Sequence, residues 1–263
     1  MLSVAFASFL SASLLLLSEN SSQAIASATV KYTAKLGTTV QCLSEINGAR
    51  EAAGLANFAD AATKEEKISE PSSSELESEW KKLCEYLIPP PSQEESVQAT
   101  AEPFKDGTYA FKSLTAEQPD CEKTVDYWKA AYKNFTGMPP PKSEDTSIYS
   151  KQDNVSFVAL YNPIPKATAD CRVVTCTQTI TAASVPAAAA AQGDGDSEAD
   201  TRTKTNGYAL ICKTMPAAFE SDNTPPFTEE QWDKIKYSLT GSASIAAPSL
   251  VALAILALGI TTV

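Results

Sequence analysis

The sequence predicts an α+β protein in which helices flank a small sheet as an α/β/α sandwich. Three observations predict it. Apolar residues recur at helical spacing in three segments before residue 140. Three short runs rich in β-branched and aromatic residues follow residue 154. Six cysteines thread through these segments, and neither a repeat nor a second core is visible.

The elements follow in order. Residues 38–55, TTVQCLSEINGAREAAGL, put Cys42, Ile46, Ala49 and Ala53 on one helical face, with Gly54 as the stop. A polar stretch from Thr63 leads to Ser74 and Glu77, which read as a capping box before LESEWKKLCEYLI. Leu76, Trp80, Leu83 and Leu87 form the stripe of that second helix. Pro89–Pro103 is a loop by composition, and TYAFK a short strand. Asp120 caps a third helix with Val125, Trp128, Tyr132 and Phe135 inward, which GMPPPK stops.

The runs VSFVALY (Val155–Tyr161), CRVVTCTQT (Cys171–Thr179) and GYALICK (Gly207–Lys213) are expected strands. Between the last two, the Ala-, Gly- and Asp-rich insertion Val185–Asn206 cannot build a core and reads as a mobile loop. TEEQWDKIKYSL is a final helix with Trp232, Ile235 and Leu239 inward and Thr228 and Gln231 as its capping box.

The two ends carry processing signals. Val4–Leu17 is an apolar h-region, and SSQAIASA offers cleavage after Ala26 or Ala28, although MLS has no Lys or Arg. The last 23 residues, from Gly241, carry no charge in a chain of net charge −11. Ile245–Val263 is about long enough to span a bilayer. It has no polar face for a core helix and no Lys or Arg beyond it, as a cytoplasmic flank would have. Gly241, Ser242, Ala243 and Ser244 are small, and a mild spacer precedes the apolar tail from Leu250. That is the grammar of a glycosylphosphatidylinositol (GPI) signal, with attachment at Gly241 or Ser242. The expected layout is a signal peptide over 1–28, an ectodomain over 29–241 and a GPI signal over 242–263.

In a secreted chain, Cys42, Cys84, Cys121, Cys171, Cys176 and Cys212 imply three disulfides, with 15 pairings open. No C-x-x-C pair occurs and the chain has no histidine. Ser-His-Asp and Cys-His catalysis and histidine-ligated zinc are thereby excluded. Two-carboxylate chemistry survives in principle, but a solvated acidic surface explains so many Asp and Glu more simply. No catalytic residue, metal ligand or cofactor is expected, and the negative balance argues against nucleic acid. Asn134 (N-F-T) and Asn154 (N-V-S) are glycosylation sequons.

The segments CLSEINGAREAAGLANF, VSFVALYNP, ADCRVVTCTQT and YALICKTMP resemble the SAG family of Eimeria-type coccidian surface antigens, which are secreted, six-cysteine and GPI-anchored. That family is in turn similar to the CAP superfamily of cysteine-rich secretory and pathogenesis-related proteins. Asn47, Arg50 and Gly54 fit the N-x-x-R-x-x-x-G pattern of its first helix. The resemblance implies a CAP-like fold and a Cys171–Cys212 pair, with Cys176 joined to one of the three earlier cysteines. The position where CAP proteins often carry histidine is Ile46 here, so their metal-binding cleft is not expected.

The function implied is that of a surface antigen of an invasive parasite stage, attaching to a host-cell surface molecule through loops such as Val185–Asn206. The alternatives are a passive coat or immune decoy, seen by host antibodies, and a lipid- or small-molecule-binding module. No ligand-binding residue is singled out.

Overall fold

The computed structural model describes residues 28–72, 78–91, 107–181, 202–219 and 221–241. Its centre is a long hairpin, β4 (Thr168–Thr181) and β5 (Arg202–Met215), paired antiparallel over the full length of both strands. β1 (Thr29–Leu36) joins the outer edge of β4 and β3 (Thr108–Leu114) the outer edge of β5, both antiparallel, giving the order β1-β4-β5-β3. The short β2 (Ala59–Asp60) runs parallel to β4 and takes up its edge beyond the end of β1. Among the described residues the sheet is mixed in direction only at that two-residue contact.

Alternation along β4 and β5 divides the core into two layers. Cys171, Val173, Leu210 and Cys212 face one side, together with Ala110 of β3. Val174, Cys176, Ala209 and Ile211 face the other, with Tyr109 and Phe111. On the first side lie α1 (Leu43–Ala52), α3 (Cys121–Ala130), α4 (Thr146–Tyr149), α5 (Gln152–Leu160) and α6 (Glu229–Thr240). On the second lies α2 (Ser78–Leu87), which packs Trp80, Leu83 and Cys84 against β1, β4 and β5.

Several helix ends follow their local chemistry. The Asp120 carboxylate accepts the Lys123 amide at 3.1 Å and starts α3, which passes through a 3-10 turn at Ala131–Asn134 to bring Phe135 into the core. The Thr228–Gln231 capping box forms in both directions and starts α6. α1 is shorter than the expected 38–55, because Cys42 precedes it in a left-handed conformation with φ of 60°. Ser74, Leu76 and Glu77, expected to open α2, lie outside the described residues.

Three sequence expectations are corrected. Val155–Tyr161 is not a strand but the latter part of α5 and its C-cap. Asn154 and every residue from Ser156 to Leu160 are buried, so only the first turn, at Gln152, Asp153 and Val155, reaches solvent, and the apolar run shows no helical period to read. A short apolar run buried all round looks the same as a buried strand in sequence. β1 was not among the expected elements, although Val30, Tyr32, Ala34 and Leu36 alternate inward along it. Finally, Arg202–Asn206 belongs to β5, paired with Thr177–Thr181, and not to a loop; the rest of the insertion, 182–201, lies outside the described residues.

α5 and α3 together close the outer edge of β3. The Phe111 amide donates to Ser156 Oγ at 3.0 Å, and the Phe111 carbonyl accepts from Trp128 Nε1 at 2.8 Å. Gln152 Nε2 donates to the Tyr109 carbonyl at 2.9 Å. Side chains thus take the place of a further strand.

Candidate binding site

The residues singled out in sequence fall into structural and surface groups. Three disulfides form: Cys42–Cys121, Cys84–Cys176 and Cys171–Cys212. Cys171 and Cys212 lie directly opposite each other on β4 and β5, with Cα atoms 4.0 Å apart. Cys84–Cys176 fastens α2 to the sheet, and Cys42–Cys121 joins the N-termini of α1 and α3. All six cysteines hold scaffold, and none has a thiolate to offer.

Asn47, Arg50 and Gly54 shape one turn. Gly54, at φ of 69°, ends α1 in a Schellman motif: its amide meets the Glu51 carbonyl at 2.9 Å, and the Leu55 amide meets the Arg50 carbonyl at 2.9 Å. The Asn47 side chain accepts from the Phe58 amide at 2.8 Å and donates to the Phe58 carbonyl at 3.2 Å. Arg50 is buried. Its Nε donates to Ala56 O at 2.8 Å, a terminal nitrogen donates to Leu160 O at 3.0 Å, and its guanidinium stacks 3.6 Å from the Phe58 ring centre. Burial pulls its pKa down to about 10, which leaves it charged at neutral pH. The pattern fixes the chain from α1 into β2; it presents no reactive group.

The two sequons differ. Asn134 is exposed on the 3-10 turn. Asn154 is fully buried, with its amide donating to Ile148 O at 2.6 Å and its oxygen accepting from Asn134 at 2.7 Å. A glycan on Asn154 is incompatible with this packing. Gly241 is the C-cap of α6, with the exposed Tyr237 ring against it; Ser242 and the tail lie outside the described residues. Among the described residues no helix is long and apolar enough to cross a membrane, and no cluster of His, Cys, Asp and Glu is arranged to hold a metal ion.

One recess was not visible in the sequence. A groove of about 320 Å³ opens between α1, α3 and the end of α6. Gly48, Ala49 and Ala52 of α1 form one wall and Val125 and Leu239 the other. Glu45, Glu122 and Asp126 stand on its rim with Lys129, whose Nζ pairs with Asp126 at 3.0 Å. Tyr161, at the C-cap of α5, lines it from within the core. Its buried hydroxyl lies against the Ser238 side chain and near the charged guanidinium of Arg50. The neighbouring Ser238 donates its own proton to Ile235 O at 2.7 Å. Burial pushes the Tyr161 pKa up to about 12, so the phenol stays neutral. These residues come from four helices far apart in the chain, and no motif announces the set.

The sporozoite surface antigen (SAG) protein domain matches residues 38–254, most of the chain. The protein belongs to the SAG family. It is 29% identical over 215 residues to the sporulated oocyst TA4 antigen of Eimeria tenella, a match covering 77% of this chain and 76% of that antigen. No solved structure matches it. As a SAG protein it is a parasite surface antigen with a cell-surface location, and membership of a surface antigen family points to a non-enzymatic role.

Proposed function

We propose that this SAG protein is held at the membrane by a GPI anchor on Gly241 or Ser242 and that its ectodomain attaches the parasite to a host-cell surface molecule. The observation that carries the anchor is the change of chemistry at Gly241. Up to that residue α6 is packed by Trp232 and Ile235 and is rich in charge; from it onward no charged residue occurs. Small residues at the junction and an apolar tail suit transfer to a lipid. Attachment is supported by a rigid, three-disulfide scaffold and by the lack of histidine-based chemistry. We read the scaffold as CAP-like, in keeping with the structural work of Asn47, Arg50 and Gly54, without the histidine cleft of CAP proteins.

The test is saturation binding of the oxidised ectodomain, Thr29–Leu239, to host epithelial cells, beside a disulfide-reduced sample. Saturable binding that reduction abolishes is expected. Binding that never saturates, or survives reduction, would overturn attachment and leave a coat antigen recognised by host antibodies. Deleting 182–201 should weaken binding if that insertion carries the contact. Release of the full chain from cells by a phosphatidylinositol-specific phospholipase tests the anchor separately.

A further inference from the structure

We infer that the uncovered end of the β1-β4-β5 sheet is a binding face for a sulfated polysaccharide. The chemistry stands on the face itself; that such a chain is the host-surface molecule rests on the attachment reading above.

On the first side of the sheet the core layer ends at Val173 and Leu210. Beyond them the hairpin runs on to Thr181 and Arg202, with β1 alongside. Thr175, Thr177, Thr179 and Thr181 run down the middle of this face, half-buried. β1 brings Lys31 and Lys35 to one flank and β5 brings Arg202 and Lys204 to the other, all exposed. Register sets the order: Lys31, Thr179 and Lys204 stand in one row across the three strands. Strand spacing puts the two flanks about 10 Å apart and makes the threonine track about 20 Å long.

The other positions of the face are Thr29, Thr33, Asn206 and Tyr208, so it holds four cations and no carboxylate. The whole chain has 32 Asp and Glu against 21 Lys and Arg. Lys31, Lys35 and Lys204 form no ion pair among the described residues. Lysine on a bare edge discourages strand pairing and threonine suits a strand, which accounts for both residue types. It does not account for the exclusion of carboxylates from three adjacent strands of an acidic protein.

A linear polyanion laid along β4 meets that pattern. The two files of cations take sulfates on either side, and the hydroxyls between them hydrogen-bond to sugar hydroxyls. Nucleic acid fits less well, because the face offers bases only Tyr208 to stack on. A bilayer fits less well, because no aliphatic side chain stands on the face to enter it.

The test is calorimetric titration of the oxidised protein with a heparin hexasaccharide, its desulfated form, a single-stranded oligonucleotide of matched charge and phosphatidylserine vesicles. Saturable binding of the heparin fragment is expected, weakened about tenfold by desulfation and several-fold by physiological salt. Lys31→Gln together with Lys204→Gln should weaken it about tenfold. Lys133→Gln, exposed on the 3-10 turn, should leave it unchanged. Thr179→Val suits the strand but removes the hydroxyl between the two lysines, and should weaken binding several-fold. The stretch 182–201 carries Asp194, Asp196, Glu198 and Asp200 and no cation. Replacing it with an Asn-Gly turn should therefore tighten binding. The inference is overturned if heparin does not saturate, if the oligonucleotide or the vesicles bind as tightly, or if the double lysine variant or Thr179→Val leaves binding intact. Weaker binding by the shortened hairpin overturns it too. Digesting heparan sulfate from the host cells separates it from the attachment reading. Saturable cell binding that survives digestion keeps attachment and overturns the sulfated glycan as partner. Heparin binding by a protein that never saturates on cells keeps the site and removes attachment.

Discussion

The two faces of the sheet are held by different physics. On the helical face, rings pack on rings: Phe157 lies 5.6 Å from Phe135, 5.1 Å from Tyr161, 6.3 Å from Phe227 and 6.1 Å from Trp232, centre to centre. On the other face one helix and an irregular segment cover the sheet, and covalent and polar ties replace bulk. Cys84–Cys176 pins α2. Lys213, buried, donates to the carbonyls of Glu65 at 2.6 Å and Lys67 at 3.3 Å. Asp170 accepts from the Ile68 amide at 2.8 Å and pairs with Arg172, which reaches Glu70 at 2.7 Å. Tyr32 and Gln178 share the Ile88 carbonyl at the end of α2. A thick apolar layer tolerates no gap, whereas a thin one depends on a few named bonds.

This contrast can be broken from either side. Phe157→Ala should destabilise the whole molecule by about 3 to 5 kcal/mol, because the cavity lies where four rings meet; denaturant unfolding measures it. Replacing Cys84 and Cys176 together by serine should cost about 2 to 4 kcal/mol. Hydrogen exchange should then show α2 opening before α5, and a uniform loss of protection would refute the division. Lys213→Met keeps the stem and leaves two carbonyls unsatisfied, at about 1 to 3 kcal/mol. Its mark should be local, with faster exchange and proteolysis across Glu65–Ile68 and little change in α3. Gly48→Ala, on the helical face but outside the packed layer, should stabilise by about 0.5 to 1 kcal/mol, read as a rise in melting temperature. Smallest of all, Thr136→Ala, at an exposed position that leaves the Asn134–Asn154 hydrogen bond in place, should shift stability by less than about 0.5 kcal/mol and remove any glycan at the Asn134 sequon. Mass spectrometry should find none on Asn154.

The thick face was the more legible in sequence, because its stripes are local. Val125, Trp128 and Phe135, or Trp232 and Ile235, announce themselves by spacing alone. α5 escaped because its run from Ser156 to Leu160 is buried on every side, so its composition outweighed its missing period. The thin face rests on pairs such as Ile68 with Asp170 and Glu65 with Lys213, more than a hundred residues apart. No local pattern encodes such pairs; they appear only once β4 and β5 lie side by side. The groove escaped for the same reason, since Tyr161 joins Glu45, Glu122 and Leu239 only in the fold.

The closed margin of β3 bears on life at high density. Antigens displayed on a membrane meet their own copies at close range, and any strand left bare is an invitation to zip neighbours together. Ser156, Gln152 and Trp128 occupy that margin from within, while the opposite margin, β1, turns Lys31 and Lys35 outward. One border is stoppered and the other bristles with like charge. Both devices work against strand-to-strand pairing between neighbouring copies.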